Sequence, residues 1–265
     1  MKYLRITLAG LALLVVLAAL LLWFLPARWV MPWIEPQLSG LHLRQLHGSV
    51  WNGEADEVTG VKGKRLGQLH WQLSRRALLG DARLQLAFDG SQLGFSGIMR
   101  RLPEGRTAID NLRLRTDLAV LGAYPPSLWG RPLGELQLTA RHVVLQGGWP
   151  LQGQARGLWQ HAAVHTRDGD VAFGALQLEA QAQGGVIRAQ WHDVGTGPLW
   201  TNGELQLSPL GWRLDTTLRA RQTDLALQRW LARLGPVAGD GSVHIQQSGG
   251  LAGTAPSTDQ GTTPP

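Results

Sequence analysis

Apolar and polar residues alternate along much of the chain, most plainly in short segments that place leucines two positions apart. These segments cover residues 84–88, 112–114, 136–138, 176–178 and 205–207. Side chains on a β-strand point alternately to its two faces, so each segment can bury one face and expose the other. Dipeptides typical of tight hairpin turns separate them: Asp89-Gly90, Gly147-Gly148, Asp168-Gly169 and Gly184-Gly185. The pattern predicts a mainly β protein, an extended and curved antiparallel sheet built as a meander of many short strands.

One or two short helices are expected to interrupt this sheet. The first is a single turn over residues 117–121, and the second begins after Thr223 or Asp224 and ends before Gly235. Four apolar residues share one face of the second helix: Leu227, Trp230, Leu231 and Leu234. Residues 249–265 are rich in Gly, Thr, Ser and Pro and lack periodicity, which predicts a disordered tail.

The N-terminal segment has a different pattern, because no residue from Ile6 to Leu25 is charged. A helix of roughly 20 apolar residues is long enough to cross the hydrocarbon core of a bilayer. A cleaved signal peptide is the alternative, but its apolar core is typically only about 7–15 residues and is followed by a small-residue cleavage site. The sequence Leu-Pro-Ala-Arg-Trp after this run is a poor cleavage site. We therefore expect an uncleaved transmembrane helix.

The flanking residues predict the topology of this anchor. Lys2 and Arg5 precede the apolar run, and basic residues favour the cytoplasmic side. Trp23, Trp29 and Trp33 cluster after it, as aromatic residues do at a lipid–water interface. We expect a single-pass protein of the cell inner membrane in four segments. These are a cytoplasmic N-terminus (1–5), a transmembrane helix (6–25), a periplasmic all-β domain (26–248) and the disordered tail (249–265).

Composition narrows the possible functions. The chain has no cysteine, which excludes disulfides, a thiol nucleophile and cysteine-ligated metals. Its formal charge is +6, but the basic residues are mostly arginines spaced singly along strand-like segments. A nucleic-acid-binding protein would gather them on one face or helix, so we expect no nucleic-acid partner. The same excess favours contact with anionic lipid headgroups.

No motif in the chain indicates catalysis, a metal site or a cofactor site. His161 and His165 have the spacing of metal ligands on a helix, but on a strand they would lie about 13 Å apart. Neither a dinucleotide fingerprint nor a Walker loop is present. We expect a protein that is not an enzyme and that binds no cofactor.

The twelve tryptophans are more typical of core and interface anchors than of a ligand platform. Some of them also suggest an internal duplication. Segment 48–51 begins with Gly and ends with Trp, and it is followed by segment 66–69, which has Gly at its second position. Segment 157–159 also begins with Gly and ends with Trp, and it is followed by segment 173–176, which again has Gly at its second position. Stacked duplicated hairpin units would explain the repeat, although chance similarity in a Gly-, Trp- and Leu-rich chain is the alternative.

The segment 40–55, with Gly48, Trp51 and Gly53, resembles the type II secretion system protein N family. The resemblance continues in segment 66–73 with Trp71, in segment 78–81, and in the later segments 134–138, 157–159 with Trp159, and 173–178. The resemblance implies an accessory inner-membrane component of the machine that exports folded proteins from the periplasm through an outer-membrane secretin. It also implies partners among the other secretion subunits, in the inner-membrane platform, the secretin or both, and it transfers no catalytic residue. Gly48, Trp51, Gly53, Trp71 and Trp159 are accordingly candidate structural or docking residues.

Two hypotheses remain open at the level of sequence. The β domain is either a non-catalytic docking module or a lipid-handling, lipid-bridging sheet anchored in the inner membrane. A docking module should have a filled core and an exposed strand edge. A lipid carrier should have an unfilled apolar groove along the sheet.

Overall fold

The computed structural model describes residues 23–35, 40–60, 63–121 and 130–250, which form two compact units, residues 1–101 and 102–265. The first unit contains helix α1 (Ala27–Ile34) and strands β1 (His42–Gly48), β2 (Asn52–Thr59), β3 (Arg65–Leu73), β4 (Arg83–Asp89) and β5 (Leu93–Arg101). A 3₁₀ turn, Arg75–Leu79, joins β3 to β4.

The second unit is larger and holds most of the long strands. Its strands are β6 (Arg106–Asp117), β7 (Arg131–Gln146), β8 (Trp149–Thr166), β9 (Gly169–Gln183), β10 (Val186–Asp193), β11 (Leu199–Ser208), β12 (Gly211–Ala220) and β13 (Ser242–Gly250). Helix α2 (Leu225–Leu234) lies between β12 and β13. Short 3₁₀ turns cover Pro103–Gly105 and Leu118–Leu121, and the latter confirms the single turn predicted from the sequence.

Within each unit every strand pairs antiparallel with its neighbours in sequence. The predicted turn dipeptides all lie where one strand ends and the next begins, although Asp89 still belongs to β4 and Gly169 already belongs to β9. Gly147, Gly148, Gly184 and Gly185 have the positive φ angles that such turns need. The predictions of a mainly β chain and of an antiparallel meander are therefore confirmed.

The hydrophobic core of the second unit is concentrated under α2. Asp224 caps this helix, because its Oδ1 accepts hydrogen bonds from the N–H groups of Ala226 (2.8 Å) and Leu227 (3.1 Å). The predicted apolar face packs inward, with Leu227, Trp230 and Leu231 buried. Their neighbours are buried residues at one end of the strands: Ala162, Val164, Val171, Phe173, Leu176, Leu199, Leu218, Val243 and Ile245.

The proposed duplication has a structural counterpart in close glycine contacts. A Cβ atom on Gly67 of β3 would lie 2.7 Å from the Cα of Gly90, beyond the end of β4. In the second unit a Cβ on Gly174 of β9 would lie 2.5 Å from the Cα of Gly197, beyond the end of β10. The two pairs have the same spacing in the sequence, and in both the close backbone approach leaves no room for a side chain, although Gly174 has a positive φ of +104° and Gly67 does not.

Two sequence predictions concern the ends of the chain. The predicted transmembrane helix falls on residues 1–22 for nearly all of its length and so lies outside the described residues. No helix within the described ranges is long and apolar enough to cross a membrane. At the other end β13 continues to Gly250, so residues 249 and 250 belong to the sheet and not to the predicted tail. Gly249 fits here because the indole of Trp212 occupies the space that its side chain would fill.

Candidate functional site

Four of the candidate residues meet at the turn between β1 and β2. We call residues 48–53 together with Trp71 the motif corner. The turn is closed by a hydrogen bond from the N–H of Ser49 to the carbonyl oxygen of Asn52, at 2.8 Å. Gly48 has a φ of +83°, and a Cβ there would lie 2.5 Å from the same carbonyl oxygen, so this position requires glycine. Trp51 is 6% exposed and anchors the corner in the core of the first unit.

Trp71 closes the motif corner from β3. It pairs directly with Gly53 across β2 and β3, and its ring lies against the Cα of that glycine. Its Nε1–H donates a hydrogen bond to the carbonyl oxygen of Val50, at 3.2 Å. A side chain at Gly53 would collide with the ring and would also lie 2.8 Å from two backbone oxygens, those of His47 and Ser49. The Gly-x-x-Trp-x-Gly pattern is therefore a packing requirement of one corner.

The motif corner also holds the segment that leads to α1. The N–H of Val50 donates to the carbonyl oxygen of Leu25 at 3.0 Å, and Pro26 forms a β-bridge with Ser49. Ala27, the first residue of α1, is buried. The chain that follows the predicted membrane helix is thus fixed to the β-sheet by backbone hydrogen bonds.

The three predicted interface tryptophans lie outside the core. Trp33 is 80% exposed, Trp29 is 57% exposed, and Trp23 is about half exposed with the guanidinium of Arg75 at 4.2 Å from its ring centroid. Trp29 and Trp33 are four residues apart on α1 and so share one face. Exposed rings on one face are what a position at a lipid–water interface requires.

Trp159 does not belong to the motif corner, because it lies in the second unit. Its ring meets Phe173 edge-on at 6.2 Å between centroids, and Phe173 packs against Trp230 of α2 at 4.9 Å. Its Nε1–H donates to the carbonyl oxygen of Leu133 at 2.9 Å. The two tryptophans that the sequence repeat linked thus lie in different units, where Trp51 is buried and Trp159 is partly buried.

Two further Gly–Trp pairs were not predicted from the sequence. Trp191 of β10 lies directly across from Gly203 of β11, and Trp212 of β12 lies across from Gly249 of β13. In each pair a Cβ on the glycine would collide with the indole. Together with Trp71 and Gly53 they form a recurring cross-strand arrangement in which glycine leaves room for an aromatic ring.

An apolar cavity of about 510 Å³ lies in the second unit, on the face of the strands that packs against α2. Aromatic and aliphatic side chains line it, including Trp159, Phe173, Trp191 and Leu214. Thr201 also faces it, and its buried hydroxyl has no hydrogen-bond partner in the described part of the chain. A buried polar group without a partner is costly in a native protein, so a ligand in this cavity could supply the missing hydrogen bond to the hydroxyl.

The sequence profile of the family described as "Type II secretion system (T2SS), protein N" matches residues 39–246. The chain belongs to this family. The match includes the motif corner and Trp159, and it begins after Trp23, Trp29 and Trp33. Neither the curated proteins nor the solved structures contain a significant match to the chain.

Histidines and carboxylates of this T2SS protein N chain form ion pairs at the surface. Six of its histidines lie beside a carboxylate, for example His142 with Asp110 and His165 with Asp170, each at 2.6 Å, and these imidazoles are about half exposed. Hydrogen bonds from the hydroxyl and the N–H of Ser242 hold the pKa of the Asp240 carboxyl below its usual value. Over residues 23–35, 40–60, 63–121 and 130–250, no three His, Asp or Glu side chains are placed to hold a metal ion.

Asp193 is the exception to this surface pattern, because its carboxylate is almost completely buried. Its Oδ2 accepts hydrogen bonds from Arg221 Nη2 at 2.7 Å and from the N–H of Gly195 at 2.8 Å. Its Oδ1 accepts from the N–H of Thr201 at 3.2 Å. All three donors fix the loop between β10 and β11, so Asp193 has a structural role that no sequence motif indicated.

Proposed function

We propose that this type II secretion component is a single-pass inner-membrane protein with a cytoplasmic N-terminus and a periplasmic β domain. In this proposal the β domain docks on other secretion subunits, in the inner-membrane platform, the secretin or both, and performs no catalysis. Membership in the T2SS protein N family supports the role in secretion. The motif corner supports the geometry, because it ties the segment after the predicted anchor to the sheet.

The observation that carries the docking proposal is the edge of β13. One side of this strand pairs with β12 along its length. On the other side, a single bridge between Val237 and Val243 is the only pairing in the described residues. Natural sheets protect such edges with lysine, proline or bulges, but the sequence of β13 contains neither lysine nor proline. An unprotected edge is suited to strand addition by a partner, in which backbone hydrogen bonds supply affinity.

Site-specific photocrosslinking in membranes tests this proposal. Gln246 on β13 and Gln190 on β10 are both exposed, lie in the same cross-strand row and carry the same side chain. A photoreactive residue at position 246 should crosslink to another secretion subunit, and the same residue at position 190 should not. Equal crosslinking at both positions, or none at position 246, would contradict docking at the β13 edge.

The topology is tested separately. A reporter that is active only in the cytoplasm should be silent when it is fused after Gly249. Activity of that reporter, or a mature N-terminus near residue 26, would refute the proposed uncleaved anchor.

A second function is favoured by the apolar cavity of about 510 Å³ in the second unit. Its volume lies within the usual range of ligand pockets, roughly 300–1,000 Å³, and its lining suits the acyl chain of a phospholipid. In this alternative the protein handles lipid at the inner membrane. Phospholipid should then copurify with the full-length protein and decrease in Leu214→Trp, which would fill part of the cavity. Unchanged phospholipid content in that variant would exclude this alternative.

A further inference from the structure

The turn between β3 and β4 exposes two leucines beside the segment that follows the predicted anchor. Leu79 is 89% exposed and Leu78 is 55% exposed. Arg75, in the same turn, places its guanidinium over the ring of Trp23. The turn and the membrane-proximal segment are therefore in direct contact within the first unit.

The two leucines are held outward by an ordered turn. The hydroxyl oxygen of Ser74 accepts a hydrogen bond from the N–H of Arg76, and the N–H of Ala77 donates to the carbonyl oxygen of Ser74. Gly80 ends the turn with a φ of +93°, and its N–H donates to the carbonyl oxygen of Ala77. A water-exposed hairpin end is usually polar, so an ordered turn that presents leucines indicates an apolar neighbour.

The neighbouring segment also exposes aromatic residues. Phe24 is 69% exposed, and Trp29 and Trp33 extend from α1. We define the interfacial surface by its apolar members and the two arginines of the turn: Trp23, Phe24, Trp29, Trp33, Arg75, Arg76, Leu78 and Leu79. Segments that bind the headgroup region of a membrane typically combine exposed apolar groups with neighbouring basic residues such as arginine.

The charges around this surface favour anionic lipid. Arg75 and Arg76 lie in the turn, and Arg28 lies on α1. The two nearest acids in the sequence both have partners: Asp81 forms an ion pair with Arg83 at 3.4 Å, and Glu35 lies 2.7 Å from the imidazole of His42. Basic residues next to a bilayer are attracted to anionic headgroups, and aromatic rings occupy the same layer.

We propose that the interfacial surface lies in the headgroup layer of the membrane, with Leu78 and Leu79 inserted among anionic phospholipids. This proposal rests on the inner-membrane placement proposed above, because the anchor brings residues 23–34 to the bilayer. It adds a second membrane contact, made by a loop of the β domain that lies more than 50 residues after the end of the predicted anchor at Leu25. Two contacts would fix the orientation of the first unit on the membrane, which a single point of attachment cannot do.

The absence of cysteine allows a direct test, since any introduced thiol is unique. Full-length Leu79→Cys is labelled with an environment-sensitive fluorophore and reconstituted in vesicles of phosphatidylethanolamine and phosphatidylglycerol. Leu210→Cys is the matched control, because Leu210 is also an exposed leucine in a hairpin turn, between β11 and β12. Quenching by lipids with a doxyl group near the headgroup should be at least about threefold stronger at position 79 than at position 210. Iodide, present on both sides of the bilayer, should show the opposite order.

Two further arms separate the possible failures. In vesicles of phosphatidylcholine alone, or in the double variant Arg75→Gln and Arg76→Gln, quenching at position 79 should fall because the electrostatic attraction is lost. Alkaline extraction of the same vesicles tests the anchor independently. If the protein stays in the membrane but position 79 is quenched like position 210, the inference fails while the proposed placement stands. If extraction releases the protein, the placement fails as well. Protection of position 79 in native membranes but not in purified vesicles would also overturn the inference, by indicating a protein partner instead of lipid.

Discussion

The motif corner makes a quantitative prediction about Trp51 and Trp71. A fully buried tryptophan replaced by alanine typically costs about 3–5 kcal/mol, and Trp51 is 6% exposed, so we expect about 4 kcal/mol for Trp51→Ala. Trp71 is half buried and donates a hydrogen bond to Val50. We expect Trp71→Ala to lose about 2 kcal/mol of packing and about 1 kcal/mol for the hydrogen bond, about 3 kcal/mol in total.

The free energy of unfolding can be followed by pulse proteolysis of the full-length protein in detergent at increasing urea concentrations. With a urea dependence of about 2 kcal/mol per molar, Trp71→Ala should lower the unfolding midpoint of the first unit by about 1.5 M. Trp33→Ala is the matched control, because Trp33 is in the same unit and is almost fully exposed. Its midpoint should change by less than about 0.25 M, since surface substitutions usually stay within about 0.5 kcal/mol.

One result would refute this reasoning. If the midpoint of Trp71→Ala equals that of the unmodified protein while crosslinking to secretion partners is lost, Trp71 is a binding residue. The motif corner would then be a docking surface, and its glycine pattern would need another explanation.

Three other outcomes are expected. Gly203→Ala should destabilise the second unit by about 1–3 kcal/mol, measured by the same proteolysis, because the new methyl group would collide with Trp191 and lie 2.5 Å from the hydroxyl of Thr216. Asp193→Asn should lower the free energy of unfolding by about 2–3 kcal/mol, because one amide oxygen cannot accept from all the donors around it. Its control is Arg233→Ala, which breaks an exposed ion pair with Asp168 and should lower the free energy of unfolding by less than about 1 kcal/mol. Single replacements of the eight histidines should give graded secretion defects, and complete loss of secretion in one folded variant would argue for catalysis.

Local rules account for the parts of the fold that were predictable. Alternation along segments such as 205–207 and the turn at Gly184-Gly185 depend only on neighbouring residues, so the strands and hairpins could be assigned from the sequence. Helix α2 was predictable for the same reason, since its cap at Asp224 and its apolar face depend only on residues within three helical turns.

The features that could not be predicted depend on register. The sequence contains Trp191 and Gly203, but only the pairing of β10 with β11 places one on the other. Burial of Asp193 likewise requires Arg221, which arrives from the end of β12. Trp159 was grouped with the residues of the motif corner because both lie in similar motifs, although they pack in different units.

Pairing between sequence neighbours has a consequence for biogenesis. Each strand within a unit pairs with its neighbours in sequence, so a hairpin can form before the C-terminus has been made. A chain delivered at the rate of synthesis, about 5–20 residues per second, gives each hairpin far longer than the roughly 1–10 μs it needs to close. The protein can therefore fold vectorially, strand by strand, as the chain emerges. At every stage the newest strand is an open edge, and β13 is the last of these edges to emerge.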